Sequence, residues 1–230
     1  MLRGIYCSNT GLNTVQHRVN ILADNLANVN TNGFKQGKSA GTTFKEAVVR
    51  INENTYFKTS NGSFPAETAI DFLPGVLRQT GRKYDFAIRG DAFFTIQTPA
   101  GFRYTKNGNF RCGQEGYLED NKGNRVLGKT GFIRIMDGEL DGDFRLDTIE
   151  NKENLIRDGD MQFKVIDQTQ MYPAEEVQVL PGFLETSNVD SIYNMTELIT
   201  AARSYSLNSR VLTSLDAVLK KSSEEVGRLK

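Results

Sequence analysis

The N-terminal residues carry apolar side chains at the spacing of a long amphipathic helix. Apolar positions recur there at steps of three and four residues, and Ser8 interrupts the pattern. The set comprises Ile5, Leu12, Val15, Val19, Leu22, Leu26 and Val29. Polar side chains fill most other positions, so the pattern predicts a helix with one narrow apolar seam. The Asn and Gly residues of 28–33 tolerate left-handed backbone and predict the end of this helix.

The C-terminal residues repeat the same rhythm. Their apolar positions are Ile192, Met195, Leu198, Ile199, Leu212, Leu215, Leu219, Val226 and Leu229. A helix is predicted to begin near Asp190, because Ser187, Asn188 and Asp190 are all suitable N-cap residues. Two ordinary amphipathic helices on a globular core would show the same pattern, which alone does not separate them from a coiled-coil-like pair. Helices with so narrow a seam are marginal in water, so we expect them to become ordered when neighbouring copies cover them.

Residues 37–74 differ in character from both ends. Phe44, Ala47, Val48 and Ile51 stand at helical spacing and predict one short helix. The Asn, Ser and Gly residues that follow favour loops. We interpret this segment as a semi-ordered connector.

From residue 75 the apolar period falls to two. Alternating apolar residues predict strands around Tyr84, Phe86 and Ile88, Phe94 and Ile96, Phe102 and Tyr104, Ile133 and Ile135, Phe163 and Val165, and Val177 and Val179. Turn residues separate the earlier runs at 98–101, 106–109, 113–116 and 120–124. The predicted fold class is therefore α+β, with a small antiparallel β-domain over 75–185. The terminal helices of 1–36 and 186–230 are predicted to pair as a coiled-coil-like α-domain.

Composition narrows the range of partners. Hydrophobic residues make up 38% of the chain, and 28 basic residues balance 28 acidic ones. No net field therefore draws in nucleic acid or an acidic membrane, so neither nucleic-acid binding nor membrane insertion is predicted. The N-terminus lacks the pattern of a cleavable signal peptide, so any export is expected without one. Cys7 and Cys112 are interpreted as small apolar fillers rather than a disulfide or zinc ligands.

One segment satisfies the P-loop expression in full. It runs over 123–130, from Gly123 to the pair Lys129 and Thr130. A phosphate site of this kind needs a strand before the glycines and a helix N-terminus at the Lys-Thr pair. Turn residues precede this segment and a strand pattern follows it, so we interpret the match as a chance resemblance.

Other candidate chemistry also lacks its context. Asp137, Glu139 and Asp141 begin like a calcium loop, but the twelfth position holds Thr148 instead of a bidentate Glu. His17 is the single histidine and lies on the polar side of its helix. The sequence therefore predicts no catalytic residue, metal ligand or cofactor, and the chain is predicted not to be an enzyme.

Three separated segments resemble the flagellar basal-body rod and hook proteins. The segment 25–35 resembles their N-terminal signature, 80–94 resembles the opening of their β-domain, and 182–190 resembles the approach to their closing helix. The residues that carry the N-terminal signature are Asn25, Leu26, Ala27, Asn28, Asn30, Thr31, Gly33 and Phe34. The chain extends beyond the common end of the family at 222–230, and the resemblance leaves a distal rod, proximal rod or hook role open.

The resemblance implies a structural subunit of the bacterial flagellar basal body. Such a subunit would pass through the flagellar export apparatus and join a helical tube that transmits motor torque. Its partners would be other copies of itself and other rod or hook subunits, with no cofactor. The expected assembly interface is the apolar seam, namely Ile5, Leu12, Val15, Val19, Leu22, Leu26, Leu212, Leu215 and Leu219.

Two alternatives remain at the level of sequence. The β-domain's Tyr and Phe residues are of a kind that stacks on sugars, so an extracellular carbohydrate-binding module is one alternative. A P-loop nucleotide-binding protein is the other, and it depends on Lys129.

Overall fold

The computed structural model describes the backbone of residues 2–39, 43–52, 55–64, 68–136, 138–159, 161–166, 171–174 and 177–227, and their side chains except at 2–7, 43–64, 153 and 225–227. These ranges form two long helices, nineteen strands and one short 3-10 helix. Their contacts divide the chain into two compact units. Unit 1 comprises Met1–Ala27, Gly37–Ala69 and Asp190–Lys230, and unit 2 comprises Asn28–Gln36 and Ile70–Val189.

Both predicted terminal helices are present in unit 1. Helix α1 runs over Leu2–Ala27 and helix α2 over Ser191–Gly227, and the two pack against each other. The start of α2 is fixed by Asp190, whose carboxylate accepts a hydrogen bond from the backbone N–H of Tyr193 at 3.0 Å. Of the three candidate N-cap residues, Asp190 is therefore the one that caps the helix.

The short helix predicted from Phe44, Ala47, Val48 and Ile51 is wrong. This stretch forms strand β2 (Thr43–Asn52), which pairs antiparallel with β3 (Thr55–Phe64) in a long hairpin that contacts α1. The flanking strands β1 (Gly37–Ser39) and β4 (Thr68–Ile70) pair with each other. β-Branched side chains favour extended backbone, and in this stretch they outweigh the helical spacing of the apolar positions.

Unit 2 contains the remaining strands. They are β5 (Leu77–Gln79), β6 (Phe86–Arg89), β7 (Phe93–Thr98), β8 (Gly101–Thr105), β9 (Arg111–Cys112), β10 (Leu118–Glu119), β11 (Arg125–Val126), β12 (Arg134–Met136), β13 (Glu139–Asp141), β14 (Leu146–Ile149), β15 (Leu155–Arg157), β16 (Gln162–Val165), β17 (Met171–Pro173), β18 (Gln178–Pro181) and β19 (Phe183–Glu185). A 3-10 helix, Lys152–Asn154, lies between β14 and β15. The α+β class and the antiparallel character of the middle region are confirmed.

One larger sheet organises unit 2. Its strand order is β15-β16-β8-β7-β11-β10-β9, and β14 also pairs with β7 and with β17. Three smaller pairs accompany it, β5 with β19, β6 with β18, and β12 with β13. The predicted turn at 98–101 connects β7 and β8, and Gly101 adopts a positive φ of 107° there.

Strand β7 is buried on both faces. Phe94 and Ile96 belong to one apolar cluster, together with Phe110 and Phe144. Phe93 belongs to a second cluster. The remaining buried members of that second cluster are Tyr104, Ile149, Leu155, Phe163 and Val165. The sheet therefore separates two cores, because alternate residues of its central strand point to opposite sides.

Candidate assembly interface

The predicted apolar seam lies in unit 1, on the helices α1 and α2, which pack against each other. Leu22 is buried, and the other described seam positions of both helices are half-buried. These are Leu12, Val15, Val19, Leu26, Leu212, Leu215 and Leu219. Ile5 lies within α1, but its side chain is outside the described residues. The partial burial of the seam leaves apolar area on both helices that the pair itself does not cover.

Small or polar residues occupy several buried positions on the two helices. Ala201 of α2 and Thr14 of α1 are buried, and the Thr14 hydroxyl donates to the backbone oxygen of Thr10 at 3.0 Å. Arg18 of α1 and Glu197 of α2 form an ion pair at the partly exposed edge of the contact. These positions are absent from the apolar heptads, so hydrophobic periodicity alone did not single them out.

Asn25 is fully buried and joins α1 to strand β1. Its side-chain amide donates to the backbone oxygen of Gly37 at 2.8 Å and accepts from the Gly37 N–H at 2.9 Å. The same amide lies 3.4 Å from Asn194 Oδ1 of α2, which is also fully buried. A buried amide that satisfies two backbone groups fixes the direction in which the chain leaves the helix.

A second set of apolar residues gives α2 an exposed apolar surface. Its members are large side chains that are about half exposed or more, namely Ile192, Met195, Ile199, Leu207, Val211 and Val218. At 100° per residue, Ile192, Met195 and Ile199 lie on one stripe roughly opposite the buried Ala201. Contiguous exposed apolar side chains are typical of surfaces that other molecules cover. The apolar pattern of the sequence includes Ile192, Met195 and Ile199 at the beginning of the helix but not Leu207, Val211 or Val218.

The signature segment after α1 belongs to unit 2. Phe34 is buried, and the guanidinium of Arg157 stacks over its ring at 4.5 Å. Gly33 adopts a φ of +71°, and a Cβ there would lie 2.5 Å from the backbone nitrogen of Asn107. The segment therefore requires glycine at this position for both its conformation and its close approach.

A buried ion pair anchors the same segment. Lys35 and Glu185 are 1% and 3% exposed at their side chains, and Lys35 Nζ lies 2.6 Å from Glu185 Oε1. Lys35 also donates to the backbone oxygen of Leu73 at 2.9 Å, and Glu185 accepts from the N–H of Gly75 at 2.8 Å. Both charges are thus hydrogen-bonded beyond the pair itself, as burial of an ion pair requires.

Asn188 completes this junction within unit 2. Its amide oxygen accepts from the N–H of Gln36 at 2.7 Å, and its nitrogen donates to the backbone oxygens of Asp71 and Leu73. Three separate stretches of chain are therefore held together by side-chain amides and charges. The sequence suggests Asn188 only as a helix cap. Its hydrogen bonds to distant backbone groups leave no local signal in the sequence.

The P-loop-like segment has the context that the sequence analysis expected. Its residues form β11 and a turn, and β12 follows rather than a helix. Lys129 is exposed and pairs with Asp143 at 3.2 Å. Within the described residues, helices begin only at Leu2, Lys152 and Ser191, so no helix N-terminus meets this turn.

The other candidate positions are scattered over the two units. Glu139 and Asp141 lie exposed on β13, whereas Asp137 is outside the described residues. His17 Nε2 lies 3.3 Å from the Thr68 hydroxyl. Cys112 is exposed on β9, so its interpretation as an apolar filler is wrong. It lies in a two-residue strand at the end of the sheet order, where its side chain is exposed.

Two buried groups in unit 2 have shifted pKa values. The pKa of Lys106 is lowered to about 8, mainly by burial; Glu185 and Asp91 oppose this effect, and the nearby cations Lys35 and Lys152 add to it. Burial also raises the pKa of Tyr104, and the Asp147 carboxylate adds to this. Neither residue is part of the predicted seam.

No helix in the described ranges carries the apolar stretch that crossing a membrane would need. Groups of His, Cys, Asp and Glu that could hold a metal ion are likewise absent from the residues described.

Unit 1 thus contains two long helices that keep apolar surface exposed, and unit 2 contains the larger β-sheet. Comparison with protein families shows which class of protein has this combination of elements. Residues 5–35 match the family "Flagella basal body rod protein", residues 87–197 match the "Flagellar hook protein FlgE/F/G D1 domain", and residues 180–225 match the "Flagellar basal body rod FlgEFG protein C-terminal" family.

Individual relatives agree along most of their length. The chain is 30% identical to the flagellar basal-body rod protein FlgF of Mesorhizobium japonicum over 226 residues, which covers 89% of this chain and 90% of the relative. It is 28% identical to FlgF of Caulobacter vibrioides, with 94% of each chain covered. It is also 28% identical to the rod protein FlgG of Bacillus subtilis, over 95% of this chain and 97% of the relative. The chain belongs to the flagellar basal-body rod protein family, as its three signature segments predicted.

Proposed function

We propose that this chain is a structural subunit of the flagellar rod that is built into the basal body through unit 1. In this proposal the helix pair of α1 and α2 is the polymerisation element, and unit 2 forms the outer wall of the tube. Other copies and other rod or hook subunits are its partners, and the assembled tube transmits motor torque.

The observation that carries the proposal is the second apolar surface of α2. Ile192 is 78% exposed and Ile199 is 54% exposed, although both are large aliphatic residues. Burying one such side chain contributes about 1.5–3 kcal/mol, so a short stripe of them provides substantial association energy once a neighbour covers it. The half-buried seam of α1 and α2 supplies further area of the same kind.

The predicted seam residues take part in this proposal as the inner contact of the pair. Leu12, Val15 and Val19 would bring α1 to α2, and Leu212 to Leu219 would extend the contact toward the end of α2. A helix pair that is incompletely covered in one copy remains compatible with export in an unfolded form through the flagellar export apparatus, because little stability has to be overcome.

The test is a pair of substitutions on the exposed stripe. Ile192→Ser combined with Ile199→Ser should leave the helix content and the unfolding midpoint of the isolated chain close to those of the unsubstituted protein, because both side chains are exposed. The amount of the variant in purified basal bodies should fall at least tenfold, with a matching loss of motility.

The matched control is Arg210→Ser, which changes an exposed polar residue of the same helix. It should enter basal bodies at the unsubstituted level. Normal assembly of the double variant would refute the role assigned to this surface. Loss of folding in the isolated variant would instead show that the stripe serves the subunit itself.

We also propose that the chain has no catalytic role. Lys129 is paired with Asp143 at an exposed turn, and Lys129→Ala should leave calorimetric titrations with ATP unchanged, with no binding heat in either protein. The carbohydrate-binding alternative loses part of its support, because Phe86, Phe93, Phe94, Phe110, Phe144 and Phe163 lie in the two cores of unit 2, whereas Phe102, Phe132 and Tyr172 are exposed.

A further inference from the structure

A groove of about 520 Å³ opens on unit 2 beside the junction of Lys35 and Glu185. Its apolar lining comes from Ile70, Phe72, Leu73, Pro74 and Ile88. Its polar lining includes Lys106, Lys152, Asp91 and Glu185. The groove thus combines an apolar floor with ionic groups, which is the composition of a site for an amphipathic segment.

The charges that line this groove are unequally paired. Lys152 forms an ion pair with Asp91 at 2.6 Å, and Glu185 is occupied by Lys35 at the same distance. Lys106 is 5% exposed, and its ammonium donates to the backbone oxygen of Gly90 at 2.9 Å. In the described part of the chain no carboxylate lies within ion-pair distance of Lys106.

The surroundings of Lys106 leave room for one anion. An ammonium group has three donors, and Gly90 takes one of them. The nitrogen also lies 5.2 Å above the ring of Phe93, a contact that favours the cation but accepts no conventional hydrogen bond. A buried cation with one acceptor is costly, so a carboxylate brought to the groove would be bound strongly.

The hairpin β12–β13 presents a carboxylate with matching surroundings. Met136 and Glu139 are directly paired across its two strands, so both side chains lie on the same face. Met136 is 55% exposed and Glu139 is exposed as well. The neighbouring Asp141 lies directly across the strands from the basic residue Arg134. Glu139 is the carboxylate of this hairpin that lies directly across from an exposed apolar residue, although the Lys83 ammonium approaches the adjacent Gly138.

We propose that the Met136–Glu139 pair of one copy docks into the Lys106 groove of a second copy of this chain. Met136 would cover Phe72 and the rim residue Leu73, and the Glu139 carboxylate would accept hydrogen bonds from Lys106. The hairpin and the groove are different surfaces of unit 2, so the contact is heterologous and can repeat along an open assembly. The inference rests on the proposed function, since it names a contact between neighbouring subunits of the same rod.

Disulfide trapping in purified basal bodies tests this contact directly. Cysteines are placed at the groove rim and on the hairpin by Leu73→Cys and Met136→Cys, in a chain that carries Cys7→Ser and Cys112→Ser. Mild oxidation should produce a ladder of covalent multimers. The control moves the rim cysteine to Ile166, which is as exposed as Leu73 but does not line the groove, and it should give at least fivefold less multimer.

Removing either charge tests the same contact a second time, with the yield of trapped multimer as the readout. Glu139→Gln and Lys106→Met should each lower the multimer yield at least fivefold, and the two together should lower it no further than either alone. The control Glu150→Gln neutralises another exposed carboxylate of unit 2 and should leave the yield unchanged. Additive effects of Glu139→Gln and Lys106→Met would overturn the pairing.

The outcomes separate this inference from the proposed function. A chain that enters basal bodies without trapped multimers, or with equal multimers from the Ile166 control, overturns the docking and leaves the rod assignment intact. Absence of the unsubstituted chain from basal bodies overturns the rod assignment and the docking with it.

Discussion

Single polar residues at buried positions determine how the helical ends connect to the rest of the chain. Asn25 holds both backbone groups of Gly37, and Lys35 meets Glu185 inside unit 2. A buried donor or acceptor that loses its partner costs more than the hydrogen bond contributes when made. These residues therefore have larger effects on stability than their small number suggests.

Replacing Asn25 should destabilise unit 1 more than any exposed polar change. Asn25→Ala leaves the N–H and the oxygen of the buried Gly37 without this partner, so the free energy of unfolding should fall by about 2–4 kcal/mol. Asn25→Asp keeps the acceptor but loses the donor and should give an intermediate loss. Urea unfolding followed by far-ultraviolet circular dichroism measures both, with the exposed Asn13→Ala as control. A loss below that of Asn13→Ala would contradict this role.

Lys106 should make the stability of unit 2 rise with pH in the mildly alkaline range. Its pKa is about 8 in the folded chain against 10.5 ordinarily, so between these values the unfolded chain binds more protons than the folded one. Stability then increases with pH, by about 2 kcal/mol between pH 8 and 9.5. The raised pKa of Tyr104 acts in the opposite direction only above its ordinary value of 10.

Comparing the unsubstituted protein with the Lys106→Met variant isolates the contribution of the Lys106 amine to this pH dependence. The difference in unfolding free energy between the unsubstituted protein and the variant should shift in favour of the unsubstituted protein as pH rises from 7.5 to 9.5. A difference that stays constant over this range would show that the Lys106 amine is not desolvated as its burial implies.

Helix α2 differs from an ordinary amphipathic helix because it is apolar on two sides. One side meets α1 through Ala201 and the half-buried leucines, and the other exposes Ile192, Met195 and Ile199. Strand β7 has the corresponding property in unit 2, since both of its faces are buried. Helix α2 thus supplies the contact with α1 in unit 1, and strand β7 supplies residues to both cores of unit 2.

Helix α1 contains a position where stability can be raised without changing a contact. Gly11 lies in the middle of the helix, and a Cβ there would meet nothing within 4 Å. Gly11→Ala should therefore stabilise unit 1 by about 0.5–1 kcal/mol, because glycine loses more backbone freedom in a helix.

Gly108→Ala should have the opposite effect on unit 2, since its Cβ would lie 1.7 Å from the backbone oxygen of Phe86. Thermal unfolding of the two variants compares them, and a destabilised Gly11→Ala protein would contradict the free space seen at this site.

At the scale of the whole molecule, the chain crosses between the two units several times. The segment 28–36 follows α1 directly but belongs to unit 2, where Lys35 neutralises Glu185. The domain boundaries predicted at 36 and 186 place this segment with the helices, and they stay a prediction until fragments are compared.

Two fragments distinguish these boundaries. A fragment of residues 28–189 should fold and resist proteolysis but fail to enter basal bodies, since it lacks both helices. A fragment of residues 75–189 leaves Glu185 buried without Lys35, and it should be less stable by about 3–5 kcal/mol. Equal stability of the two fragments, measured by urea unfolding, would favour the boundary at 36.

The sequence predicted the elements whose pattern is local. Both terminal helices, the start of α2 near Asp190 and the strands around Phe86, Phe94 and Phe163 follow from periodicity, capping residues and turn residues. The hairpin of β2 and β3 was missed, because its apolar positions also fit a helix and its partner strand reads as a loop. The amide of Asn25 and the pair of Lys35 and Glu185 were missed for another reason. Their partners are distant in sequence, and no local pattern encodes such contacts.

The short strands at the sheet margins have a consequence for a protein that must exist at high local concentration. The outermost strand β9 has two residues, β15 has three, and β17 ends in Pro173. An exposed strand edge is a template for amyloid-like addition of another chain, and brief or proline-ended edges offer few free hydrogen-bonding groups for it. The described edges of this sheet in unit 2 therefore offer few groups for unordered pairing between copies.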